Sequence, residues 1–322
     1  IVFFKIMGNS SHSNILIIGG GCAGITVASR LHSLKSDLNI SIIEPSEKSL
    51  YQAAWTLVGA GAYDVGSTVK QMSEVMPSYV KWIKEYAEEF MPETNSVKTN
   101  NGTYTYDYLV VCPGLKLNFD GVAGLKEHLG KNNVCTNYSA EMATYTWECL
   151  KNLDGGTLLF TEPPMPIKCA GAPQKIAYLA ADHLKKKGKL NESHLEFLCA
   201  KPVIFGVPHF QGPLNEVCDS YGIKRSFQHN LISVNGNSKE AVFKQSDKDG
   251  NAKEVTKKFD FIHVTPPQTS PDFIKNSPLA DAGGWVDVDH KVGTLRHTKF
   301  ENIYSLGDVM NAPNAKTGAA VR

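Results

Sequence analysis

Cys169 sits in the stretch Ile167 to Gln174, IKCAGAPQ, with Lys168 on one side and only small residues or proline on the other. A cysteine attacks as its thiolate, and an adjacent cation and a nearby helix N-terminus both favour that anion. Pro173 falls in the first turn of a helix predicted from about Ala170 to Lys187, which sets Cys169 just ahead of the helix start. The competing reading is a small buried side chain at a crowded turn, a common fate of free cysteine. A second group of residues is built for phosphate rather than sulfur. GGGCAG at Gly19 to Gly24 offers Gly19 for a tight turn, Gly21 for close approach of a pyrophosphate and Gly24 for helix packing, with free N–H groups at the helix start as anion donors.

The elements that must hold these groups are legible around them. Asn14 to Ile18 is an apolar, β-branched run, and Ile25 to Leu34 has helical spacing. The strand Ile40 to Ile43 ends in Glu44, twenty positions after Gly24, where a ribose-binding acid belongs in a dinucleotide fingerprint. A second unit is predicted from the strand Gly156 to Thr161, the helix bearing Pro173 and the strand Leu195 to Ala200. Its connecting turn reads EPPMPIKC, where prolines occupy the places of glycines, removing both N–H donors and room; this argues against a nicotinamide nucleotide there. Segments Ile223 to Val234, Glu240 to Gln245 and Val255 to Val264 read as an antiparallel layer.

Composition closes off other classes. The 322 residues are 42% hydrophobic and 20% charged with a net charge of +1, an ordinary globular balance that gives no electrostatic reason to expect nucleic acid. The seven cysteines form no CxxC and no metal-ligand spacing, so no metal is expected and reduced thiols fit better than a disulfide framework. The longest apolar candidate, the glycine-interrupted Ala53 to Ala62, falls short of the roughly 18 residues of a spanning helix.

Two further strands end in small-residue turns: Tyr104 to Gly114, YTYDYLVVCPG, and Phe300 to Asp308, FENIYSLGD. They resemble the strands of flavoproteins whose cofactor domain is assembled from separated chain segments, the second ending in the Asp that holds a ribityl chain; together with GGGCAG they favour FAD over NAD. The stretches GGGCAGITVASR, EPSEKSLYQAAWTLVGAGA, VKWIKE, FTEPPMPIKCAGAPQKIAYL, HVTPPQ, GGWVDVD and IYSLGDVMNAPNAKTGAAV, from Asn14 to the last residue, resemble the mitochondrial-type sulfide:quinone oxidoreductases. The resemblance implies an α/β protein with two Rossmann-like domains and antiparallel crossover layers. The FAD-binding domain would be discontinuous (14–118 and 295–322), and a second domain (119–294) would carry the redox cysteine.

It also implies the chemistry: oxidation of hydrogen sulfide through a persulfide on Cys169, sulfane sulfur passed to a small thiol or sulfite, and electrons passed through FAD to ubiquinone at the matrix side of the mitochondrial inner membrane. The residues that match are Gly19, Gly21, Cys22, Ala23 and Gly24 for the pyrophosphate and Glu44 for the adenosine ribose. Gln52, Ala87, Gly114, Asp308 and Lys316 match other flavin-contacting positions. Cys22 is expected to pack in the phosphate loop, and Cys112, Cys149, Cys199 and Cys218 to lie in the core; Cys135, in NVCTNYS, is a second redox candidate because bacterial relatives have a cysteine in a similar setting. An NAD(P)H-dependent quinone or disulfide reductase and a redox-inactive FAD-binding protein are the alternatives. Family members continue past TGAAVR with a second redox cysteine, a quinone site and a membrane-associating region, so this chain is expected to be a fragment, inactive alone, with a start that is not native.

Overall fold

The computed structural model describes residues 9–312. Two compact units divide the chain: the first gathers the residues up to Leu50, Lys70–Lys116 and those from Thr269 on, the second Tyr51–Val69 and Leu117–Gln268. Apart from a shift of two residues after Lys116, these boundaries differ from the expected segments at two places. Residues 51–69 join the second unit because Trp55 and Val58 bury against Ala143, and residues 269–294 join the first because Ile274, Leu279, Val286 and Val288 enter its core.

In the first unit β1 (Asn9–Ile18) leads into α1 (Cys22–Leu34) and β2 (Ile40–Ile43), followed by β3 (Val80–Ile83), β4 (Ala87–Met91), β5 (Ser96–Thr99) and β6 (Gly102–Val111). β2 is buried at every position, as a parallel strand covered on both faces must be. β1 lies parallel to both β2 and β6, and β2 parallel to β3. β4 and β5 form an antiparallel hairpin on the first half of β6.

The second unit contains β7 (Val134–Cys135), α2 (Ala140–Asn152), β8 (Gly156–Glu162), α3 (Ala172–Lys186) and β9 (Ser193–Cys199). They are followed by α4 (Pro208–Ser220), β10 (Lys224–Phe227), β11 (His229–Asn235), β12 (Glu240–Ser246), β13 (Ala252–Lys258) and β14 (Phe261–His263). Its parallel sheet runs β7-β14-β8-β9-β10, and β11-β12-β13 form an antiparallel layer. Two expected strands are therefore broken. Gln228 takes φ +57 and separates β10 from β11, while the fully buried Phe261 and Ile262 leave the largely exposed β13 to join the parallel sheet. The chain then returns to the first unit as β15 (Ile303–Ser305), parallel to Leu109–Val111 of β6.

Capping follows the sequence. Ser139 Oγ accepts from Met142 N at 3.2 Å at the start of α2, and α3 has Pro173 in its first turn and Lys185 and Lys186 in its last. Among the described residues no helix is long and apolar enough to cross a membrane.

Candidate functional site

Each unit gathers one set of functional groups. In the first, three turns meet at the carboxyl edge of adjacent parallel strands. Gly19 takes φ +103, and a Cβ there would lie 2.5 Å from the Cys112 carbonyl oxygen. A Cβ on Gly24 would lie 1.9 Å from the Gly19 carbonyl oxygen, so the helix can start this close to the strand only with glycine. Gly21 is different: a Cβ there would meet nothing within 4 Å. It is the N-cap of α1, with no side-chain cap bond and no acid in the first turn. The helix start is left open on the side where an anion would sit.

Glu44 lies beside this loop, its Oε2 accepting from Gly20 N and its Oε1 from Ser46 N, each at 2.8 Å. A carboxylate has about four acceptor positions, so room remains for ribose hydroxyls. Gly307, at φ +82, brings the turn after β15 against Ala23, where an added Cβ would be 3.4 Å from the Ala23 Cβ. Asp308 follows directly, and Gly114, at φ +78 with open space beside it, ends the turn after β6. Gly19, Gly21, Gly24, Glu44, Gly114 and the Gly307–Asp308 turn thus lie at one edge of this sheet, a cradle that would fit a dinucleotide, whereas Gln52 belongs to the other unit. Ala87 opens β4 opposite Thr99. Cys22 is exposed at the helix start, and Cys112 is buried, its thiol pushed up to about 12 by burial and then by the Glu44 charge. Lys316 lies outside the described residues.

In the second unit the β8–α3 turn carries Cys169, exposed and at φ +87, a left-handed conformation unusual for a residue with a side chain. Lys175, one turn into α3, donates from Nζ to Cys169 Sγ at 3.7 Å. The neighbouring Lys168 is held at both ends: its backbone N–H donates to Gln268 Oε1 at 2.7 Å and its Nζ to Gln52 Oε1 at 2.5 Å. The Lys168 ammonium also lies 5.7 Å from the Trp55 ring centroid and 5.7 Å from that of Tyr138. Gln52, matched by resemblance to a flavin contact, has its side-chain oxygen on Lys168.

The remaining cysteines are of another kind. Cys135, Cys149, Cys199 and Cys218 all belong to the core of this unit. Cys135 is fully buried, and burial, with Cys149 next to it, pushes its thiol well above the ordinary value. Sequence reasoning did not find Lys175, although its position in the second turn of a helix opening beside Cys169 was a usable signal. It also missed the buried pair at the ends of β8 and β9, where Lys201 Nζ lies 2.5 Å from Glu162 Oε1. Burial raises the Glu162 carboxyl despite the lysine beside it. No pattern in the sequence announces that pair. Among the described residues no cluster of His, Cys, Asp and Glu is arranged to hold a metal ion.

An open glycine turn at one sheet edge and a cysteine loop on a second parallel sheet put the chain in the class of α/β proteins with two Rossmann-like units. Residues 13–145 match the family described as pyridine nucleotide-disulphide oxidoreductase. The chain is 40% identical over 312 residues to the mitochondrial sulfide:quinone oxidoreductase of Mus musculus, spanning 97% of this chain and 68% of that protein. It is 44% identical over 313 residues to the corresponding protein of Dictyostelium discoideum, spanning 96% and 68%. The solved sulfide:quinone oxidoreductase of Aquifex aeolicus shares the fold, with a TM-score of 0.79 and 23% identity over 94% of this chain and 69% of that one. The chain belongs to the mitochondrial sulfide:quinone oxidoreductase family.

Proposed function

We propose that this protein oxidises hydrogen sulfide with FAD as its bound electron acceptor and a quinone, ubiquinone by family resemblance, as the final one. In this reading Cys169 carries the sulfur as a persulfide and passes it to a small thiol or to sulfite. The observation that carries the reading is the exposed Cys169 thiol, facing the Lys175 ammonium at 3.7 Å while four other cysteines of its unit are in the core. Joining a hydrosulfide ion to a Cys169 thiolate as a persulfide anion releases two electrons and one proton. FAD supplies the two-electron acceptor that no side chain of the loop can provide. The α1 start would hold its pyrophosphate, Glu44 the adenosine ribose and the Gly307–Asp308 turn the ribityl chain. Lys175 offsets the negative charge that the sulfur carries before and after the step. We infer a mitochondrial address from the names of the relatives, at the matrix face of the inner membrane and against its surface; fractionation of tagged protein checks it.

Cys169→Ser in the flavin-loaded protein tests the chemistry. Flavin content should stay at the wild-type level, since the glycine loop belongs to a different unit, while sulfide-dependent quinone reduction falls by about three orders of magnitude or more. A variant that still reduces quinone with sulfide at the wild-type rate ends the assignment.

A further inference from the structure

Cys169 adopts a backbone conformation that a non-glycine residue does not take without support, so the groups that hold it there matter for the chemistry of its sulfur. Three hydrogen bonds among those at the turn bear on its backbone and on Lys168. Ala172 N donates to the Cys169 carbonyl at 2.7 Å, a bond internal to the turn. The other two come from distant parts of the chain and both act on Lys168: Gln268, after β14, accepts from its backbone N–H, and Gln52 accepts from its ammonium. Gln52 is itself part of a braced segment, with Trp55 buried nearby and its Nε1 donating to Thr68 Oγ1 at 3.2 Å. Lys168 therefore has a fixed backbone and a fixed side chain, one residue from the sulfur.

We propose that Gln52 and Gln268 are positioning residues for the sulfur chemistry, a two-point clamp on Lys168 that holds Cys169 left-handed with its sulfur against Lys175. This rests on the reading of Cys169 as the nucleophile and extends it to the residues that aim it. The clamp is specific in its chemistry: each glutamine is used through its carbonyl oxygen, so an oxygen acceptor of the same shape should serve and an apolar side chain should not. Gln52 in this role acts on the cysteine loop rather than through a side-chain bond to the flavin. With the clamp released, the turn relaxes toward ordinary backbone angles, the sulfur moves off the Lys175 ammonium, and the Lys168 ammonium is no longer held on Gln52.

Gln52→Leu and Gln268→Leu remove the acceptors, and Gln52→Glu and Gln268→Glu keep an oxygen in the same place. Iodoacetamide labelling of the flavin-loaded protein, mapped by peptide mass, reads the exposed Cys169 directly, with the same peptide labelled in urea-unfolded protein as the reference. The leucine variants should retain flavin and label Cys169 at least about five-fold more slowly, with labelling of the unfolded protein unchanged, and the glutamate variants should recover to within about two-fold. In the sulfide reaction the limiting rate of flavin reduction should fall about ten-fold in the leucine variants, with the half-saturating sulfide concentration nearly constant, as expected for misaimed rather than weakly bound reactants. Wild-type labelling of Cys169 in both leucine variants overturns the clamp, as does flavin loss shared by Gln52→Leu and Gln52→Glu. If wild-type protein failed to respond to sulfide, the proposed function would fall, while the labelling would still decide whether the clamp exists.

Discussion

The two strand–turn–helix units of this protein, β1 to α1 and β8 to α3, share a topology and use it for opposite purposes. In the first, the turn is glycine, the helix N-cap has empty space beside it, and the carboxylate that follows β2 takes its hydrogen bonds from backbone N–H groups. In the second, the turn is rich in proline, and the space beside the N-cap residue Gly171 is already in use: a Cβ there would be 3.6 Å from Lys175 Cε and 3.9 Å from the Phe205 ring. A lysine, not an acid, lies just past β9, and its ammonium pairs with Glu162. The contrast lies in donors and space: the first turn leaves both open and the second does not. On the proposed function, removing the N–H donors and the room would turn a seat for a pyrophosphate into a seat for one reactive side chain.

The contrast can be broken first at its acidic residue. Glu44→Arg exchanges a carboxylate for a cation beside the open loop and should weaken flavin retention by on the order of a few kcal/mol, about 100-fold, read as flavin absorbance per protein after gel filtration. Full occupancy in that variant would mean that the first turn does not hold the adenosine end.

A smaller effect sharpens the second unit. His263, at the end of β14, is buried and its Nε2 accepts from Asn137 N at 3.0 Å; burial lowers its imidazole from the ordinary 6.5 to about 3. Between those values the unfolded chain binds a proton that the native protein does not. Its contribution to stability is therefore present above pH 6.5 and is lost as pH falls toward 3, by about 1.4 kcal/mol per pH unit. His263→Gln should show a shallower loss than the wild type over that window in urea denaturation, and identical slopes would contradict the buried neutral ring.

The smallest expected effect separates the two candidate thiols. Cys135→Ala should cost about 1 kcal/mol of stability for the lost packing and leave sulfide-dependent flavin reduction within about two-fold. A ten-fold loss would set Cys135 beside Cys169 in the chemistry.

Local features were readable from sequence because local physics produces them. The glycine turn, the fully apolar Ile40–Ile43 strand and the proline in the first turn of α3 each announce themselves within a few residues. The Lys168–Gln52 bond spans 116 positions and Lys201–Glu162 joins the ends of two strands, so both depend on pairings that no window of sequence contains. The splitting of 223–234 and 255–264 between two sheets had the same cause. Alternation in a strand reports which side chains are buried, not which sheet buries them.

The return of the chain as Ile303–Ser305 beside Leu109–Val111 has a consequence for biosynthesis. That edge of the first sheet is made early on the ribosome and receives its partner only after roughly 190 further residues, a wait on the order of ten to forty seconds at 5–20 residues per second. Throughout that interval the nascent chain carries an unpaired strand edge of apolar residues next to the turn that would bind the cofactor. Newly made protein should therefore depend on a holding chaperone more than its finished stability suggests, and flavin should enter late, once Ile303–Ser305 has paired with Leu109–Val111.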